Sequence, residues 1–154
     1  MASEPASDPA DPFDLNRFGQ AQQGDYARAL AEIRRGRKTS HWMWYVFPQF
    51  LGLGLSSMSQ RYAIRSAAEA AAYLEHPILG PRLRESFESL LAVEGHSAHA
   101  IFGSPDDLKL NSCATLFAYV SGPGSEFERV LDKYFDGTTD ENTLRLMAAA
   151  GDGN

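Results

Sequence analysis

The chain has 154 residues, the length of one ordinary domain, and 44% hydrophobic with 11% aromatic residues is enough to build a core without disulfides or metal. A formal net charge of -6 argues against a broad nucleic-acid-binding face, since an acidic surface repels phosphates; the one basic cluster is RRGRK, Arg34 to Lys38. A single cysteine excludes an internal disulfide, no apolar run approaches a membrane span, and the acidic start has neither region of a signal peptide, so the expectation is a cytoplasmic protein with no membrane partner.

Residues 1–12 offer almost nothing to bury and are expected to form a disordered tail; residues 148–154 read as a fraying helix end and flexible terminus, leaving 13–147 as one helical domain. A short helix is expected over Leu15 to Gln22. In the next, Tyr26, Ala29, Leu30 and Ile33 recur at helical spacing, Asp25 can cap the start, Gly36 can end it, and Arg34 and Arg35 sit at the negative end of its dipole. The stretch KTSHWMWYVFPQF reads as either a central helix or a short strand weakened by Pro48, and LGLGLSSMS as a loop. Ser66 and Glu69 have capping-box spacing, and Pro77 limits the helix that they open. Leu79, Leu83, Phe87, Leu90 and Leu91 then form one stripe that ends at Gly95.

Ser104 reads as an N-cap with Pro105 at the first helical position and Asp106 and Asp107 in the first turn. Phe127, Val130, Leu131 and Tyr134 mark a further helix stopped by Gly137, and Thr139 or Asp140 caps the last one. Alternating strand patterns are nearly absent and no segment repeats. The expected fold is mainly α, a compact single-domain bundle of about six to eight short helices.

Chemistry concentrates in two places. If Ser40 caps a helix, one face carries His41, Trp44 and Tyr45 and another carries Trp42 and Val46; Trp42 and Phe47 individually read as core. Polar residues flank the aromatics: Ser40 and His41 on one side, Gln49, Gly52, Gly54, Ser56, Ser57 and Ser59 on the other. GLGLSS lacks the third glycine of a dinucleotide fingerprint and the Lys-Ser/Thr pair of a P-loop, yet its backbone N–H groups can approach an anion. The second place is Lys109, Ser112 and Thr115, one polar stripe inside an otherwise apolar helix, readable as a surface stripe or as a ligand anchor.

His96 and His99 have helical spacing but no third ligand, so no metal site is expected, and no cofactor is implied. Cys113 reads as a small core residue; a Cys113–His41 nucleophilic pair has nothing in the local sequence to support it. Asp106, Asp107 and Glu69 are explained by helix ends, and Glu75 beside His76 reads as solvated.

The segments GRKTSHWMWYVFPQ, EAAAYLEHPILGPRL and GSPDDLKLNSCATLF together resemble the eighteen-ten family of bacterial domains of unknown function, whose members often carry the misplaced label calpastatin. The resemblance runs from about Phe13 to Met147 and implies one mainly helical domain; it brings no reaction. Members often have serine and methionine where this chain has Cys113 and Ala114, which argues against an essential thiol. The order of a polar-aromatic helix, a YLEHPILGPRL segment and a KL…LF helix is also similar to the NADAR superfamily, which implies handling of ADP-ribose derivatives and cleavage of N-glycosidic bonds.

The resulting expectation is a polar-aromatic pocket for a small anionic ligand such as a nucleotide or ADP-ribose derivative. Trp42, Trp44 or Tyr45 would stack on it, Lys109, Ser112 and the backbone from Gly52 to Ser56 would hold phosphate, Ser40 and Gln49 would line the pocket, and His41 would be the acid or base. The alternative is a non-enzymatic interaction module or homodimer whose aromatics are all core.

Overall fold

A computed structural model describes residues 10–152, so most of the expected 1–12 tail and the last two residues lie outside the described residues. Ten helices follow one another: α1 Asn16–Gln22, α2 Tyr26–Arg35, α3 Met43–Val46, α4 Ser57–Arg61, α5 Ala67–Glu75, α6 Leu79–Ala92, α7 Ala98–Phe102, α8 Asp106–Ser121, α9 Glu126–Phe135 and α10 Glu141–Asp152. The architecture is mainly α, as the sequence leads one to expect. The count exceeds six to eight because α3, α4 and α7 are single turns of four or five residues, too short to leave a periodic signal. Ser57, Met58 and Ser59, read as loop, therefore belong to α4. The aromatic stretch divides: Met43–Val46 is helical, while Phe50 makes an isolated parallel bridge to Ile64.

α8 is the longest helix, and its residues Leu110 and Ser112–Phe117 are buried. It packs against α9, α5, α7 and α10, and α6 packs against α9, α2 and α5. Through this core runs a chain of rings, from Trp42 to Phe47 (6.0 Å between centroids), Phe87 (5.4 Å), Phe127 (4.7 Å), Phe117 (5.7 Å), Tyr73 (5.6 Å) and Phe18 (5.1 Å). Edge-on and tilted pairs of this kind add to the burial of their area.

The helix ends follow local chemistry. Ser66 and Ser125 accept the N–H groups of Glu69 and Glu128, and Gly36 adopts the left-handed conformation that ends α2. Three expectations shift. Asp25 makes no capping bond with its side chain, because Tyr45 Oη and Arg28 take its carboxylate. Glu69 accepts from the N–H of Arg65 rather than that of Ser66 and pairs with Arg17 at 2.8 Å. Pro105 is the residue before α8, not its first residue, and Ser104 Oγ donates to Asp107 instead of capping. Lys133, reaching from α9, donates to the carbonyls of Leu90, Leu91 and Val93 and so closes the C-terminal end of α6.

Candidate functional site

Between α3, the segment from Gln49 to Gly54, α4 and the N-terminal ends of α8 and α10 lies a cleft of about 390 Å3. That volume is at the low end of the range for small-molecule sites. Trp44, Phe50 and Tyr62 form its aromatic wall. Lys109 and Ser112 reach it from α8, Gln49 and the backbone of Gly52 to Gly54 from the loop, Ser59 from α4, and Asp140 and Asn142 from the start of α10.

The loop holds its shape through two glycines. Gly52 has a φ of +106°, and a side chain there would press on Leu146. A Cβ on Gly54 would come within 2.5 Å of Ser59 Oγ. The parallel bridge fixes the entry to the loop, with Leu51 N donating to the Ile64 carbonyl and Ile64 N to that of Gln49. Among the described residues, the side-chain amides of Gln49 and Asn142 and the backbone N–H groups of Gly52, Leu53 and Gly54 have no hydrogen-bond partner.

Charge at the cleft is set by a shared carboxylate. Asp106 Oδ2 lies 2.8 Å from Lys38 Nζ, and its Oδ1 lies 3.3 Å from Lys109 Nζ. One carboxylate between two ammonium groups leaves a net charge of about +1 on this trio, which the Asp140 carboxylate on the cleft lining offsets. Each lysine also sits over an indole: Lys38 is 5.0 Å from the ring centroid of Trp42, and Lys109 is 4.7 Å from that of Trp44. Lys38 is 8% exposed, whereas Lys109 is 24% exposed and borders the cleft.

Beneath this group lies Glu32, 3% exposed. Its Oε1 accepts from Thr39 N (2.8 Å), Ser40 N (3.0 Å) and Trp42 Nε1 (3.0 Å), and its Oε2 accepts from Ser40 Oγ (2.6 Å). Burial alone would raise the Glu32 pKa; the four hydrogen bonds outweigh it and bring it down to about 2. Glu32 thus holds the segment that leads from Lys38 into α3 and sets where Trp44 stands.

Of the residues singled out from sequence, the fold brings Trp44, Gln49, Gly52, Lys109 and Ser112 to the one cleft. Four others lie elsewhere. Trp42 is fully buried and Ser40 donates to Glu32, so both belong to the Glu32 network. His41 is exposed and outside the cleft lining, and Ser56 is an exposed cap for α4. Thr115 is buried, accepting from Asp140 N and donating to Asn111. Cys113 is fully buried, which pushes its thiol well above the ordinary range, and no hydrogen bond joins it to His41. His99 lies 3.5 Å from Asp107, and no group of three or more metal-ligating side chains gathers among the described residues.

Asp140 and Asn142 were not singled out for the site. Asp140 Oδ2 accepts from Ser112 Oγ (3.1 Å) and from both the N–H and hydroxyl of Thr143, capping α10 and tying it to α8. Only its capping role was readable locally.

Among the described residues, a ten-helix fold with a polar, aromatic-walled cleft is the class that fold and site define. The chain belongs to the family described as "Protein of unknown function (DUF1810)", which matches residues 12–147. Its fold is similar to the crystal structure of the conserved hypothetical protein Rv1873 from Mycobacterium tuberculosis, with 50% sequence identity, 90% of this chain and 99% of that chain covered, and a TM-score of 0.88. No curated protein matches the chain. No helix among the described residues is long and apolar enough to cross a membrane.

Proposed function

We propose that the cleft binds a small anionic ligand carrying a ring, of the nucleotide or ADP-ribose type. One observation carries this reading. The Lys109 ammonium sits over Trp44 at the cleft wall, the Asp106 that it contacts is shared with Lys38, and the lining carboxylate Asp140 takes its bonds from Ser112 and Thr143 and makes no ion pair with Lys109, so the ammonium keeps room for an anionic partner. The free loop N–H groups and the unpartnered amides of Gln49 and Asn142 supply further donors for anionic oxygens. Trp44, Phe50 and Tyr62 offer the surface for a ring.

Thermal shift and calorimetry with AMP, ADP-ribose, ribose 5-phosphate and inorganic phosphate test it. A ligand at about a hundred times its Kd should stabilise the fold by roughly 2.7 kcal/mol, a rise in Tm of about 5–11 °C for a domain of this size. Lys109→Ala should abolish the response while lowering the ligand-free Tm by only about 2–4 °C, since a part-exposed i,i+3 pair and a contact over Trp44 contribute on the order of 1 kcal/mol together. No response to any anion, or an undiminished response in Lys109→Ala, would overturn the reading.

The N-glycosidic hydrolysis implied by the NADAR similarity needs an acid at the cleft. The lining carboxylate is Asp140, and among the described residues no second carboxylate lines the cleft to share acid and base work with it. Binding is therefore the activity that the geometry favours, and release of nicotinamide from NAD is the assay that would add catalysis. The interaction-module reading is favoured by a different observation: Leu55 is 89% exposed and Leu108, at the cleft, 63% exposed. Sedimentation velocity that remained monomeric across a wide concentration range would remove the homodimer.

A further inference from the structure

The two carboxylate oxygens of Asp140 are used differently. Its Oδ2 receives every bond that the carboxylate accepts within the chain, from Ser112 and Thr143. Its Oδ1 accepts none among the described residues, although Asp140 borders the cleft and is only part-exposed. Being part-exposed, this oxygen is served by solvent and is open to a ligand's donors in its place. Beside it the side-chain amide of Asn142, which can both donate and accept, is also unpartnered. The same cleft is lined by Lys109 and by Gly52 to Gly54, whose backbone N–H groups have no partner among the described residues.

The cleft therefore presents both kinds of group. Lys109 and the loop N–H groups are donors and suit a phosphate. Asp140 with the Asn142 carboxamide is a charged acceptor and suits groups that donate: an anion against Asp140 would meet like charge, while a hydroxyl could donate to its Oδ1. We infer that the cleft is built for a phosphorylated sugar, with Lys109 and the Gly52–Gly54 backbone on the phosphate and Asp140 with Asn142 on the sugar hydroxyls. This rests on the reading of the cleft as an anion site and adds the residue that selects among anions. Thr143, through its N–H and its hydroxyl, is the main hold on Oδ2; Ser112 Oγ shares one proton between Oδ2 and the Leu108 carbonyl at 3.2 Å.

The test compares ribose 5-phosphate with butyl phosphate, which carries the same charge and no hydroxyls, by calorimetry on the full chain. A hydrogen bond to a charged acceptor predicts a preference of about tenfold or more for ribose 5-phosphate. In Asp140→Asn the amide oxygen must serve Ser112 and Thr143, which turns an N–H₂ toward the ligand, so the preference should narrow several-fold. Equal binding of the two phosphates to the wild-type chain would overturn the inference while leaving the anion site standing. A preference that persists in full in Asp140→Asn would also overturn it. Failure of every phosphate to bind would remove the anion site and this inference with it. Should Asp140→Asn not fold, 2-deoxyribose 5-phosphate on the wild-type chain decides instead: weaker binding than ribose 5-phosphate supports hydroxyl reading, and equal binding rejects it. AMP separates the two sources of such a ligand. Tighter binding than ribose 5-phosphate assigns the sugar phosphate to a nucleotide, and no gain assigns it to a free sugar phosphate.

Discussion

Glu32→Ala should destabilise the protein by about 3 kcal/mol or more, because each buried donor left without an acceptor costs roughly 1–3 kcal/mol. The substitution strands Trp42 Nε1, which is fully buried, and the N–H groups of Thr39 and Ser40 together. For a domain of this size the fall in Tm would be about 6–12 °C. Glu32→Gln should cost much less: its amide oxygen can accept at the Oε1 position while the N–H₂ donates to Ser40 Oγ, which rotates to accept.

The pair also separates charge from shape. Glu32 has a folded-state pKa of about 2 against an ordinary 4.5. Its ionised form is therefore favoured by folding, and the benefit is fully present above about pH 5. It is lost as the pH falls from there through about 2. At 1.36 kcal/mol per pH unit the whole interval is worth roughly 3 kcal/mol. Urea unfolding at pH 7 and pH 3 should show the wild-type chain losing more stability than Glu32→Gln. Parallel losses in the two proteins would mean that the four hydrogen bonds do not hold the carboxylate in its charged form.

What could be read in the sequence here was local. Gly36, Ser66 and the aspartates of α8 act within a turn of where they stand, and the helices they bound follow. Trp42 and Trp44 illustrate the limit. Trp42 stands just before α3 and is held in the core by the bond from its Nε1 to Glu32 in α2, while Trp44 lies inside α3 and is half-buried at the cleft; that bond spans ten residues and leaves no mark in the local spacing. Ser40 and His41 were placed beside the aromatics by adjacency alone; the Glu32 network takes Ser40 one way and leaves His41 in solvent.

The cleft has the same character. Lys109 and Ser112 stood out because polar residues in an apolar helix call for a partner, and Gln49 and Gly52 because they follow a dense aromatic run. Asp140 and Asn142 reach the site only because α10 docks on α8, a tertiary contact with no counterpart in the spacing of the chain. Asp106 was explained by the helix dipole, which is true of its position and silent about its two lysines. Charge sharing among Lys38, Asp106 and Lys109 needs three segments in contact before it can be seen.

Gly80→Ala should destabilise the protein by about 3 kcal/mol, with a Tm lower by about 6–12 °C. Gly80 lies in the first turn of α6, within the YLEHPILGPRL segment, where alanine would favour the helix itself by about 1 kcal/mol. Packing reverses that sign. A Cβ at Gly80 would stand 2.1 Å from the carbonyl oxygen of Leu74 and 2.8 Å from its carbonyl carbon, and these are backbone atoms of α5 that no rotamer change can move aside. The α5–α6 corner would have to open, loosening the contact of both helices with one another and the seat of Tyr73 and Leu79 in the core. Gly19→Ala is the matched comparison. Gly19 also lies inside a helix, α1, but the nearest atom to its Cβ is Asn16 Oδ1 at 4.0 Å, so the same substitution should raise stability by up to about 1 kcal/mol. Denaturant unfolding of the two variants should therefore move in opposite directions from the wild-type midpoint. A Gly80→Ala variant as stable as Gly19→Ala would show that α5 and α6 do not approach as closely as 2.1 Å implies, and that the glycine is there for some reason other than contact.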